Sequence, residues 1–179
     1  MMEERFYEAD RQAYRHVAPI IEKLFSQYSA TTTIEETYDG CRIDILLTAT
    51  TTNNERYYNI EVKDRQSGYT FSKFWQAEEA YLTKDEWELT NEEKTLGTGI
   101  LIKEGKIRAL NNHPENRTAL YAVNFPDGVI AFWLIDENTK YGEIELFFDK
   151  YNVNRGEKEL QQLYTLSLHN ATYIYRYNQ

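Results

Sequence analysis

Residues 42–65, RIDILLTATTTNNERYYNIEVKDR, decide the fold. Residues 42–49 are apolar and β-branched, residues 57–63 are aromatic and β-branched, and a polar tip containing Asn53-Asn54 separates them. Asn tolerates the positive φ that a tight turn requires, so the stretch reads as a β-hairpin. With Asn53 and Asn54 at the turn centre, Thr52 stands opposite Glu55, Leu46 opposite Glu61 and Asp44 opposite Lys63. Alternation then places Asp44, Leu46, Glu61 and Lys63 on one face. Ile43, Ile45, Leu47, Tyr58, Ile60 and Val62 take the other, which is a core face.

Diagonal neighbours in such a pair lie roughly 7–8 Å apart at Cα, close enough for two carboxylates to share one metal ion. An ammonium beside them completes a device for phosphodiester chemistry. A plain cross-strand ion pair between Asp44 and Lys63 uses the same residues. A slip of one residue would send one polar set to the opposite face and break the geometry.

Outward from the hairpin, residues 3–28 carry an apolar stripe at helical spacing through Phe6, Tyr14, Val17, Ile21, Leu24 and Tyr28. Pro19 falls inside it and is expected to kink or split the helix. Asp10 lies within the stripe, where an acid needs either a partner or water. Past Pro19 the phase is open, which keeps Glu22 as a second acid of this helix. Residues 31–38 form a strand, and Asp39-Gly40 is a hairpin turn that brings Glu35 opposite Asp44 as a further acid. Downstream, Ser72 is read as the cap of a helix running to about Thr83, which carries Gln76. Residues 84–94 read as acidic helix or surface, and 100–102 as a short strand. Residues 104–117 read as a loop around a strand at 107–110. Residues 119–125 and 129–135 form a hairpin across Pro126-Asp127-Gly128. Residues 143–148 are read as a strand, 157–166 as a helix and 171–177 as a final strand.

A chain of 179 residues with 41% hydrophobic and 15% aromatic residues fits one folded domain, residues 1–179. Its apolar runs are too short to cross a bilayer, the N-terminal stretch lacks a signal-peptide core, and a single cysteine suits a reducing compartment. The expectation is a cytoplasmic protein without a membrane partner. A net charge of −9 counts against a general nucleic-acid binder but not against a locally basic cleft.

The order helix, three meandering strands, helix, strand, with Asp44 seventeen residues before Glu61 and with Glu61-Val62-Lys63 on the third strand, resembles the PD-(D/E)XK nuclease-like superfamily. Ile43 stands where the superfamily's name has Pro. The likeness covers about residues 3–135, and residues 136–179 are read as a C-terminal elaboration. Gln76 followed by Tyr81 is similar to the Gln and Tyr of the RecB-type branch. The resemblance implies an α/β (α+β) restriction-endonuclease-like αβββαβ core, its mixed central sheet flanked by helices, with extra C-terminal strands. It implies that Asp44, Glu61 and the Val62 carbonyl bind Mg²⁺ or Mn²⁺. Lys63 would orient or deprotonate a water, or stabilise the pentavalent phosphorus. Gln76 would position the water or phosphate, and Asp10 or Glu22 would supply the first-helix acid.

The expected function is a divalent-metal-dependent nuclease acting on DNA, with a homodimer left open. The alternative is a catalytically silent nuclease-fold module for a protein partner, favoured by the acidic balance and the 15 tyrosines. An RNA-processing enzyme is a third, weaker reading without a supporting RNA-binding motif.

Overall fold

The computed structural model describes residues 2–29, 31–36, 45–65, 67–112, 116–149 and 158–178, leaving aside the side chains of 2–10, 35–36, 145–149 and 158–162. Helix α1 (Met2–Ser26) runs through Pro19 as one element. Pro19 is exposed, so the missing N–H faces solvent, while buried Val17, Ala18, Ile21 and Leu24 hold both halves to the sheet. The split expected at Pro19 does not occur.

Strands β1 (Thr31–Glu36), β2 (Ile45–Thr51) and β3 (Asn54–Asp64) form the antiparallel meander. Its registers correct the sequence reading. Thr51 pairs with Asn54, so Thr52-Asn53 is the turn centre, and Leu46 stands opposite Asn59 rather than Glu61. The slip is two residues, an even number, so among the described residues it leaves each side chain on its expected face. Ile45, Leu47, Ile60 and Val62 are buried, as the alternation required. In the first hairpin Glu35 stands opposite Leu46, not Asp44. Asp44 and the Asp39-Gly40 turn lie outside the described residues.

Helix α2 (Phe71–Thr83), α3 (Asn91–Leu96), β4 (Ile100–Ile102) and α4 (Glu104–Asn111) lead to β5 (Arg117–Phe125), which lies parallel to β3. Strands β6 (Val129–Leu134), β7 (Gly142–Asp149), β8 (Lys158–Leu166) and β9 (Tyr173–Arg176) follow. The architecture is α+β. A mixed six-stranded sheet, ordered β1-β2-β3-β5-β6-β9, is flanked by helices, and a three-stranded antiparallel sheet, β4-β8-β7, stands apart from it. One core lies between the large sheet and α1. The other, built on Phe74, Tyr121, Phe125, Trp133, Ile100 and Leu166, joins the opposite face to α2 and the small sheet. Among the described residues no helix is long and apolar enough to cross a membrane.

Two segments differ in type from their reading. Residues 158–166 are a strand, because pairing on both sides, to β4 and β7, outweighs their helical composition. Residues 104–111 are a helix, in which Ile107 and Leu110 stand at i, i+3 and turn inward onto the second core. Helix α2 is capped by Thr70, not Ser72, through a 3.2 Å bond from the Lys73 N–H to Oγ1. Asp127, in the β5–β6 turn, adds a second cap. Its carboxylate accepts the N–H groups of Phe71 at 2.8 Å and Ser72 at 3.2 Å. That turn closes on Gly128, whose φ of +78° suits glycine and whose missing Cβ leaves room for the Asn178 side chain.

Candidate functional site

The site forms on the C-terminal half of β3. There the strand runs beside the parallel β5, with Glu61 next to Tyr121 and Lys63 next to Val123, while the described pairing with β2 ends at Ile60. Parity puts Glu61 and Lys63 on the face away from α1. Val62 points to the α1 side and is buried in its core. Glu61 is 3% exposed. A carboxylate that deep requires compensation, and Lys106 of α4 sets its Nζ on Oε1. The Lys106 side chain remains 43% exposed, so the pair reaches from the sheet to solvent. Lys63 is exposed, one β-repeat nearer the strand end.

The remaining sequence candidates lie elsewhere or beyond description. Asp44 is outside the described residues. Gln76 lies on the exposed side of α2, whose Phe74 and Ala77 turn inward. Asp10 falls on α1 within the part whose side chains are not described, and Glu22 is exposed on the same helix. Helix α1 packs on the sheet face opposite to Glu61. Among the described residues no group of three or more His, Cys, Asp or Glu gathers closely enough to hold a metal ion. Glu61 thus contributes one carboxylate, already seated against a cation.

Three features were not read from the sequence. The first is Lys106, hidden because its segment reads in the sequence as a loop and strand. The second is Arg117, which donates from Nε to Asn59 Oδ1 at 2.6 Å and from Nη2 to the Tyr58 carbonyl at 3.2 Å, with its guanidinium 5.7 Å from the Tyr57 ring centre. Asn59 shares the face of Glu61 and is buried, so Arg117 satisfies the fold. The third is Arg65. Its N–H donates to the Asn124 carbonyl at 2.9 Å, which extends the β3–β5 pairing one residue past Asp64. Its guanidinium stands 5.4 Å from the centre of the Phe74 ring. Burial lowers the Arg65 pKa, against an opposing effect of the Tyr121 and Tyr69 hydroxyls. Its Nε is buried and has no hydrogen-bond partner among the described residues. The signal for Arg65 was the alternation 61, 63, 65 carried one step past the strand.

On the other face Asp64 ties three elements together. Its Oδ2 lies 2.8 Å from His16 Nδ1 on α1, and Oδ1 accepts the Asn124 Nδ2 amide at 2.8 Å. Asn124, fully buried, in turn accepts the Tyr177 hydroxyl at 2.8 Å. Burial raises the Tyr177 pKa, which keeps that hydroxyl a donor.

The arrangement presents an oxygen donor that holds a cation, and beside it two side chains able to meet an anion. No family model matches the chain, and comparison with curated proteins and with solved structures found no match either.

Proposed function

We propose that the chain is a divalent-metal-dependent nuclease that hydrolyses phosphodiester bonds in DNA on a restriction-endonuclease-like αβββαβ core. The element order supports it: a helix, a three-strand meander, then a helical crossover to a strand parallel to the third. The observation that carries the reading is Glu61, buried on the face it shares with Lys63 and holding the Lys106 ammonium at Oε1. A carboxylate oxygen would suit the hard Mg²⁺ or Mn²⁺ ion, and the Val62 carbonyl and Asp44 are the further ligands that the resemblance implies. Bound there, such an ion supplies an activated water and neutralises charge on the scissile phosphate. Lys63 would hold a phosphate oxygen or that water in place, and Lys106 would have to give up Oε1 for an ion to be held there.

Purified protein is expected to cut DNA in Mg²⁺ or Mn²⁺, and Asp44→Ala, Glu61→Ala and Lys63→Ala are each expected to abolish cutting. Full activity in Glu61→Ala would overturn the assignment. A second reading, a silent nuclease-fold module for a protein partner, draws on two observations. Lys106 already offsets Glu61 within the chain. Trp87, Leu82 and Tyr81 are 80%, 70% and 47% exposed, in a segment that also carries the exposed acids Asp85, Glu86 and Glu88. Calorimetry separates the two: no heat of Mn²⁺ binding at millimolar metal favours the module.

A further inference from the structure

We propose that Arg65 is a phosphate-binding residue on the face of Glu61 and Lys63 and that Tyr69 beside it takes the adjoining base, so that the ligand engaged is an unpaired nucleotide; this rests on the nuclease reading. The Arg65 main chain is fixed by its bond to the Asn124 carbonyl at 2.9 Å, and strand parity sends its side chain to the face of Glu61 and Lys63. The ring beneath its guanidinium is firmly held. Phe74 is 4% exposed and packs edge-on to Phe125 at 5.8 Å. Arg117 satisfies its fork on Asn59 and the Tyr58 carbonyl, whereas Arg65 keeps a buried Nε–H with no acceptor among the described residues.

The chain has 29 acidic residues against 20 basic ones, yet no described carboxylate is paired with Arg65. A buried donor left open costs free energy that a ligand can recover. The ligand that fits a planar fork is an anion presenting two oxygens. Lys63 on the same face adds a second positive charge, which favours a chain of phosphates over a lone carboxylate. Tyr69 supplies the remaining selectivity. It is 48% exposed, and its ring centre lies 6.3 Å from that of Phe74, so it flanks the same platform as Arg65. An exposed ring beside a phosphate site can stack a base only when the base is out of a duplex.

The full chain, in chelator, is titrated with a short single-stranded oligodeoxynucleotide and separately with inorganic pyrophosphate. The Arg65 Nε–H resonance is followed by NMR, and affinity by anisotropy or calorimetry. Both ligands should shift that resonance saturably. Arg65→Lys keeps the charge and the stem on Phe74 but loses the fork, and should weaken oligonucleotide binding about tenfold. Tyr69→Ala should weaken the oligonucleotide and leave pyrophosphate unchanged. A resonance that neither ligand moves, or unchanged affinity in both Arg65→Lys and a folded Arg65→Ala, overturns the phosphate role. Duplex binding as tight as single-strand binding overturns the role of Tyr69. The titration needs neither metal nor turnover, so the two readings fail separately. DNA cutting with unchanged KM in Arg65→Ala sinks this inference alone, whereas a saturable shift in a protein that never cuts DNA sinks the nuclease reading alone.

Discussion

A side chain's value at this site is set by what neutralises it. Glu61 is deep and holds a cation from α4, so removing that cation separates two effects that Glu61→Ala would merge. Lys106→Met should lower stability by on the order of 1–2 kcal/mol, below the cost of stranding a fully buried charge because the Lys106 side chain is 43% exposed. The same change should tighten Mn²⁺ binding several-fold, since no ammonium then competes for Oε1. Thermal melts and calorimetry check the two halves. Weaker Mn²⁺ binding in Lys106→Met would mean that the ion does not enter at that oxygen. The shared face of Glu61 and Lys63 was legible in the sequence because alternate residues of a single strand share a face whatever the hairpin register. Their partners were not legible. Nothing in the period of β3 tells which helix lies across it, and Lys106 comes from a helix more than forty residues downstream.

Elements whose apolar period is long and one-sided were readable, and those fixed by pairing were not. Helix α1 and the β5–β6 hairpin fall where residues 3–28 and 119–135 put them. Residues 157–166 have a helix-forming composition, yet β8 (Lys158–Leu166) is a strand because it lies between β4 and β7. The start of α2 shows the same limit at one residue. Thr70 rather than Ser72 caps it at the Lys73 N–H, and Asp127, far along the chain, takes the Phe71 and Ser72 N–H groups. That long-range cap is testable. Asp127→Ala removes the acceptor for the Phe71 and Ser72 N–H groups and should cost about 1 kcal/mol. The cost corresponds to a Tm lower by about 2–4 °C. Asp127→Asn, which keeps an acceptor, should recover most of the loss; equal losses in both variants would show that the carboxylate's charge, rather than its hydrogen bonds, matters.

The molecule as a whole is acidic, with a net charge of −9, and on the nuclease reading this bounds how DNA could be engaged. Lys63 and Arg65 lie at one end of β3, where Glu61 offsets Lys106, and the net negative charge disfavours a broad contact with phosphates. Binding should therefore lose affinity gently with salt. The logarithm of the association constant should fall against that of salt with a slope near about −2, as for two or three phosphate contacts on a single strand. A slope several times steeper would reveal a broader basic surface and displace that end of β3 as the main contact. The order of the strands has one more outcome, felt during synthesis. Strand β6 is buried along nearly its whole length, yet its outer neighbour is β9, made only after β7 and β8. Until residues 173–176 leave the ribosome, an apolar ribbon has an open flank that another nascent chain can occupy. Yield in cells should accordingly depend on how quickly that last segment arrives.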